Sequence, residues 1–409
     1  MHINQGLETA LKHVPHGDIL SFVTFKRHQY VCPRCRYTMI PEIPFKAKGH
    51  RITQPMLSFA QGLLEMGLTN SEVSELSGLH KNTVKDIDLK RLQSLYTEVK
   101  RDGDGNEKRV LRKPEAQARY LAIDEFKLHD GHRYATIIID LENGHALWLA
   151  RGRKKAVVYD FIEHVGEQWM DGVEAVACDM NSDFQQAFEE RCPRIRVVFD
   201  YFHIVKNFND KVVSEVRKDE QQRLIKEGNS EGAASLKKVR YILTSSRETL
   251  ARKDEEAAEG KVIHPELELF AGEEVKRKGG QLNKYEALVQ ENSLILALDL
   301  VKAKLQEAYD LKDELQMAEK LKEISVLCRE TGSPHFRWFN RLLQNHLDGI
   351  IAHATYNIST SKLEGINNKI KTLRRQAYGY PDDEYFFLKL LDATRREPRL
   401  RSRRQSHKI

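Results

Sequence analysis

What most constrains the fold of this chain is a fixed order of short apolar runs between residues 120 and 199, followed by about 150 residues with no strand signal. Tyr120-Leu-Ala-Ile-Asp124, Tyr134-Ala-Thr-Ile-Ile-Ile-Asp140 and His145-Ala-Leu-Trp-Leu-Ala150 are rich in β-formers and separated by short turns, which predicts three adjacent strands. A helical pattern over 156–165, a run Val173-Glu-Ala-Val-Ala-Cys178, a second helical pattern over 183–191 and a run Ile195-Arg-Val-Val-Phe199 come next. The order is three strands, helix, strand, helix, strand, and it predicts an α/β layer. From 203 to 354 Glu, Lys, Leu and Ala recur at helical spacing, so a large all-α block is expected, with further helices over 361–375 and 383–395.

Upstream, Asn70-Ser-Glu-Val-Ser-Glu-Leu-Ser-Gly-Leu-His-Lys-Asn-Thr-Val-Lys-Asp-Ile87 has the pattern of a helix-turn-helix. Val73 and Leu76 fall on a first helix, Gly78 supplies the positive φ of the turn, and Val84 and Ile87 fall on a second. The second helix would offer His80, Lys81, Asn82 and Thr83 to a DNA groove, with Lys85 beside phosphate. An ordinary packed helical hairpin is the alternative. Charge favours DNA: residues 1–119 carry a net +6 and residues 367–409 a net +7, around a middle of −7. No run reaches the roughly 18 apolar residues of a membrane span and no signal-peptide core precedes residue 20, so a cytoplasmic protein is expected.

Five scattered cysteines make no disulfide framework, and only Cys32-Pro-Arg-Cys35 is a close pair. It is half of a zinc knuckle. His13-Val-Pro-His16 could complete a two-His, two-Cys site, since tetrahedral zinc needs four ligands; otherwise the two thiols are the remainder of an incomplete site.

Three carboxylates stand where chemistry needs them. Asp124 ends the first predicted strand, Asp179 follows the fourth, and Glu364 lies on the 361–375 helix. In a ribonuclease H-like sheet the first and fourth strands are neighbours, so both aspartates would point into one cleft, and a returning helix can add the third acid. Hard oxygen ligands suit two Mg²⁺ or Mn²⁺ ions about 4 Å apart, which activate a water or 3′-hydroxyl for phosphodiester cleavage. Structural alternatives exist: Asp183 rivals Asp179, Asn181, Ser182 and Asp183 compete to start the next helix, and Ser361-Lys-Leu-Glu364 fits a capping box. On that helix Leu363, Ile366, Ile370 and Leu373 form an apolar face, while Glu364, Asn367, Asn368, Lys371 and Arg375 form a polar one.

Tyr120-Leu-Ala-Ile-Asp-Glu-Phe126, Ala177-Cys-Asp-Met180, Phe199-Asp-Tyr-Phe-His-Ile-Val-Lys206 and Leu363-Glu-Gly-Ile-Asn-Asn-Lys-Ile-Lys-Thr-Leu-Arg-Arg-Gln-Ala-Tyr-Gly379 together resemble the ISL3 family of bacterial insertion-sequence transposases. The resemblance implies an Asp-Asp-Glu triad of Asp124, Asp179 and Glu364, spaced by 55 and 185 residues, with a helical insertion before the glutamate. It places Asp200 and His203 beside the site as accessory residues, with an N-cap and a buried hydrogen bond as equally good alternatives, and matches Trp338 to a tryptophan of related proteins, where core packing is the alternative to stacking on an unpaired base. It implies a homodimer or larger assembly on double-stranded DNA, the element ends and the target. Family members carry two Cys pairs near the N terminus, whereas this chain shows only the second.

The expected architecture is α/β: a partial zinc-ribbon-like segment (1–50), helix-turn-helix (52–95), linker (96–118), ribonuclease H-like catalytic domain (119–208), all-α insertion (209–355), the Glu-bearing second part of that domain (356–394) and a basic tail (395–409). The expected activity is Mg²⁺-dependent hydrolysis and strand transfer at terminal inverted repeats in the bacterial, nucleoid-associated cytoplasm, with Lys371, Arg374 and Arg375 on backbone phosphate. The rivals are a decayed or repurposed non-catalytic DNA-binding protein and a metal-dependent nuclease that cuts without joining.

Overall fold

The computed structural model describes residues 2–101, 103, 105–129, 131, 133–237, 239–262, 278–377 and 379–396. Asp102, Asp104, Pro265, Tyr378 and most of the Arg-rich tail therefore lie outside the described residues. The protein is mixed α/β and divides into two compact units. One takes the described residues of Met1–Ala116, Asn143–Ala150 and Leu363–Ile409; the other takes those of Gln117–Glu142 and Arg151–Lys362.

The first unit begins with a long antiparallel hairpin, His2–His16 against Ile19–Val31, with Thr38–Met39 added beside Val31. Its turn depends on Gly17, whose φ of 61° is open to glycine at little cost. Three helices follow, Gln54–Glu65, Asn70–Ser77 and Lys81–Tyr96, and close over Met56, Ala60, Leu64, Val73, Leu79, Val84 and Ile87. Sequence chemistry sets each boundary. The Thr53 side chain caps the first helix, Thr69 and Glu72 form a capping box on the second, and Gly78 ends it at φ 65°, ψ 12°. Leu76, expected in the core, is half exposed; Leu79 in the turn is buried in its place. The stretch read as a linker forms paired strands, Thr97–Arg101 with Glu107–Leu111, because alternating residues on both sides of the Asp-Gly pairs satisfy a ladder.

The C-terminal helix Asp383–Arg395 packs on Lys81–Tyr96 in this unit. A buried polar network joins them. Arg91 donates to Asp88 at 2.9 Å and to Asp392 at 3.2 Å, Lys389 donates to Asp88 at 2.9 Å, and the Tyr385 hydroxyl donates to Asp88 at 2.7 Å. Asp88 is fully enclosed, so two cations and a hydroxyl offset the cost of burying its charge.

In the second unit four strands lie side by side in the order Arg196–Phe199, Ala175–Cys178, Tyr120–His129, Arg133–Asp140. Tyr120–His129 is antiparallel to Arg133–Asp140 and parallel to Ala175–Cys178, which is parallel to Arg196–Phe199. Each parallel step uses a crossover helix: Lys155–Val165 precedes Ala175–Cys178, and Ser182–Arg191 precedes Arg196–Phe199. The all-α block is present from Tyr201 to Tyr356, apart from residues outside the description. It returns through Leu347–Tyr356, which lies against Arg196–Phe199. Close approach there requires glycine, since a Cβ on Gly349 would sit 2.5 Å from the Phe199 ring. Gly349→Ala is expected to destabilise the protein by about 1–3 kcal/mol, read as a lower denaturant midpoint.

Candidate active site

The two aspartates come together through strand register. Ile123 pairs with Cys178 in the last rung of the parallel ladder, so Asp124 and Asp179 each lie one residue further on adjacent strands about 5 Å apart. Asp179 directly follows its strand, whereas Asp124, expected to end its own, lies midway along Tyr120–His129, because pairing with Arg133–Asp140 carries that strand on to His129. Asp124 accepts from the Glu125 amide at 2.8 Å, and Asp179 accepts from the Met180 amide. The Asp179 side chain is half exposed, and the His203 ring nitrogen is 3.8 Å from it.

The rivals to Asp179 are otherwise engaged. Asn181 caps the Ser182–Arg191 helix by accepting from the Asp183 amide at 3.0 Å, and Asp183 pairs with Lys154 at 2.9 Å. Asp179 is thus not needed as a cap. Its neighbours register the concentrated negative charge. Burial pushes the Cys178 thiol up, and Asp179 and Asp124 push it further. Burial likewise raises the Glu125 carboxyl, against the opposing Arg153, and both aspartates add to the rise. Two carboxylates side by side on adjacent strands are donors of the hard oxygen type that a divalent cation such as Mg²⁺ takes.

Glu364 is exposed on the Ser361–Gln376 helix and belongs to the first unit. Among the described residues no three His, Cys, Asp or Glu side chains are gathered as a metal site. The capping-box alternative fails, because Ser361 is already helical, which puts Glu364 at the fourth helical position and Leu363 at the third, where the box needs its acid. Leu363, Ile366 and Ile370 form its buried face as expected, while Leu373 is only half-buried. Lys371, Arg375 and Asn368 are exposed, and Arg374 and Asn367 half-buried.

Asp200 is buried and faces inward. One oxygen accepts from the Phe202 amide at 3.0 Å, which caps the Tyr201–Phe208 helix; the other accepts from the Thr360 amide at 2.7 Å and from the Thr360 and Ser359 hydroxyls. Burial pushes its carboxyl upward, but these bonds and His203 outweigh burial and hold it below the usual aspartate range. Sequence reading missed His346, whose enclosed Nδ1 has no hydrogen-bond partner among the described residues and whose ring meets Phe199 edge-on at 5.1 Å. Burial lowers its pKa, while Asp179 opposes that. Trp338 is half-buried on Pro334–Asn345, beside the buried Phe339 and Asn340.

At the N-terminal helical pair, His80, Lys81 and Asn82 are exposed and Thr83 half-buried. His80 caps its helix by accepting from the Asn82 amide at 3.2 Å. Lys85, expected beside phosphate, is instead paired with Asp382 at 3.0 Å and lies over the Tyr385 ring. The two-His, two-Cys zinc grouping is overturned by the hairpin. His2 faces Val31 and His13 faces Ser21, so the histidines and the Cys32–Cys35 turn lie at opposite ends, roughly 33 Å apart at 3.3 Å per residue. His13 bonds to the Thr53 hydroxyl instead. At Cys32 the Cys35 and Arg34 amides lower the thiol pKa. Among the described residues no helix is long and apolar enough to cross a membrane.

A family model described as Transposase, of the DDE type found in ISL3 elements, matches residues 121–390. The transposase for insertion sequence element IS1001 of Bordetella parapertussis is 26% identical over 365 residues, covering 89% of this chain and 79% of that protein. The transposase for insertion sequence element IS1557 of Mycobacterium tuberculosis (H37Rv) is 24% identical over 285 residues, covering 65% of this chain and 57% of that protein. The family match spans both aspartates, the helical block and the helix bearing Glu364, and on that extent the chain belongs to the ISL3 family of DDE transposases.

Proposed function

We propose that this insertion-sequence transposase cuts and joins DNA at a site formed by Asp124, Asp179 and Glu364, holding divalent ions, Mg²⁺ or Mn²⁺. The observation that carries the reading is the register that sets Asp124 and Asp179 side by side where the pairing of two parallel strands ends. The strand order around Tyr120–His129, antiparallel on one side and parallel on the other, supports a ribonuclease H-like catalytic domain. Bound ions would supply charge stabilisation at the phosphate and ease deprotonation of the attacking hydroxyl. In the first step water attacks phosphorus, the bond to the 3′ oxygen breaks, and a 3′-hydroxyl is freed. In the second that hydroxyl attacks a target phosphate, and the target's own 3′ oxygen leaves.

The exposed His80, Lys81 and Asn82 at a helix start support reading of the element ends by a helix-turn-helix, and Lys371 and Arg375 support backbone contacts. Lys85 is omitted because Asp382 holds it, and no zinc site is proposed. The test incubates purified protein with labelled element ends, a target plasmid and Mg²⁺. Joined products are expected. Cutting without joining would instead mark a nuclease, and binding with neither would overturn both enzymatic readings.

A further inference from the structure

The segment leading into the Glu364 helix is tied down more heavily than a surface connection requires. Leu347–Tyr356 ends at Asn357 in the left-handed region (φ 47°), and Ile358 and Thr360 are buried. Asp200 then takes three hydrogen bonds from Ser359 and Thr360. Two residues on, the Lys362 ammonium donates to the Leu141 carbonyl at 2.7 Å and to the Glu142 carbonyl, at the end of the Arg133–Asp140 strand. All these groups belong to the second unit, which also contains both aspartates. Thr360 and Lys362 thus bracket the helix start, and Glu364 follows Thr360 by four residues, about 6 Å along a helix.

We infer that Asp200 is a positioning residue: by holding Ser359 and Thr360 it fixes where the helix bearing Glu364 begins, and through the cap on Tyr201–Phe208 it also fixes His203 beside Asp179. It touches neither substrate nor ion. The inference rests on Glu364 being a catalytic carboxylate. An aspartate is required because one oxygen serves Phe202 while the other receives three donors, and an asparagine NH₂ would oppose donors on one of those sides.

The test uses the full-length protein and four variants, Asp200→Asn, Thr360→Val, Thr360→Ser and Glu364→Gln. Thr360→Val is nearly isosteric and removes a single hydroxyl, so it serves if Asp200→Asn fails to fold. Asp200→Asn and Thr360→Val are expected to lower kcat for joining about 10- to 100-fold, the usual loss when an outer support of a metal site is removed. KM for element-end DNA should not change, and Mn²⁺ affinity measured by calorimetry without DNA should fall over the same range. Thr360→Ser should restore both to within about threefold. Variants that lose melting temperature yet keep wild-type Mn²⁺ affinity and kcat would overturn the inference while leaving the carboxylate reading intact, provided Glu364→Gln is inactive. Full joining by Glu364→Gln would sink the underlying reading itself.

Discussion

Asp179→Asn reduces strand joining by roughly 1,000-fold or more as an expected result, because losing several kcal/mol of transition-state charge stabilisation costs tenfold per 1.4 kcal/mol. Melting temperature should hardly change, since Asp179 is half exposed and Asn181, not Asp179, caps the helix that follows. Asp183→Asn is the matched control. It removes a half-exposed pair with Lys154, worth about 0–1 kcal/mol, and joining should stay within about threefold of wild type. Gel assays of joined product on the two variants decide between the acids. The reverse pattern would mean that Asp183, four residues after Asp179 and inside the helix, is the ligand.

Arg91→Ala should be the most destabilising single change in the first unit. Arg91 joins Asp88 and Asp392, both buried, and its removal leaves Asp88 with Lys389 and Tyr385 and Asp392 with Arg396 and Tyr96. Leaving a buried charge with no partner typically costs about 3–5 kcal/mol; here each carboxylate keeps one cation and one hydroxyl, so the loss is expected at the low end, about 3 kcal/mol. Urea unfolding should show the loss, with DNA binding falling in step with the unfolded fraction. A change under about 1 kcal/mol would mean that water reaches these carboxylates.

Much of the second unit was legible from sequence because its cues are local. The runs at Tyr134, Val173 and Ile195 gave strands within two residues of those observed, whereas the run at Tyr120 continues five residues beyond Asp124 to His129; the later helices, Ser361–Gln376 and, in the first unit, Asp383–Arg395, differ from expectation by at most one residue at each end. The N-terminal hairpin was not expected, since the Cys32–Cys35 pair suggested a partial zinc-ribbon-like segment over 1–50. Its signal was nonetheless present: His16-Gly17-Asp18 between two runs of alternating residues is hairpin turn chemistry. The same oversight produced the zinc grouping, since spacing along the chain carries no information about which end of a hairpin a residue occupies. Asp200 could be singled out by its motif, but not its partner Thr360, 160 residues away, because only tertiary structure pairs them. The pairing of Lys85 with Asp382 was hidden for the same reason, its partner being 297 residues distant.

The network around Arg91 also has a temporal meaning. Asp88 and Arg91 emerge early from the ribosome, whereas Lys389 and Asp392, which complete their charge balance, are made about 300 residues later. At 5–20 residues per second that interval is roughly 15–60 s. During it the N-terminal helical pair lacks the helix that covers these groups, so a chain cut short before Asp383 would carry a weakened version of the module proposed to read DNA. Completion of synthesis thereby becomes a condition for full stability of that module, which would disfavour truncated copies that occupy element ends without Glu364, the proposed third carboxylate.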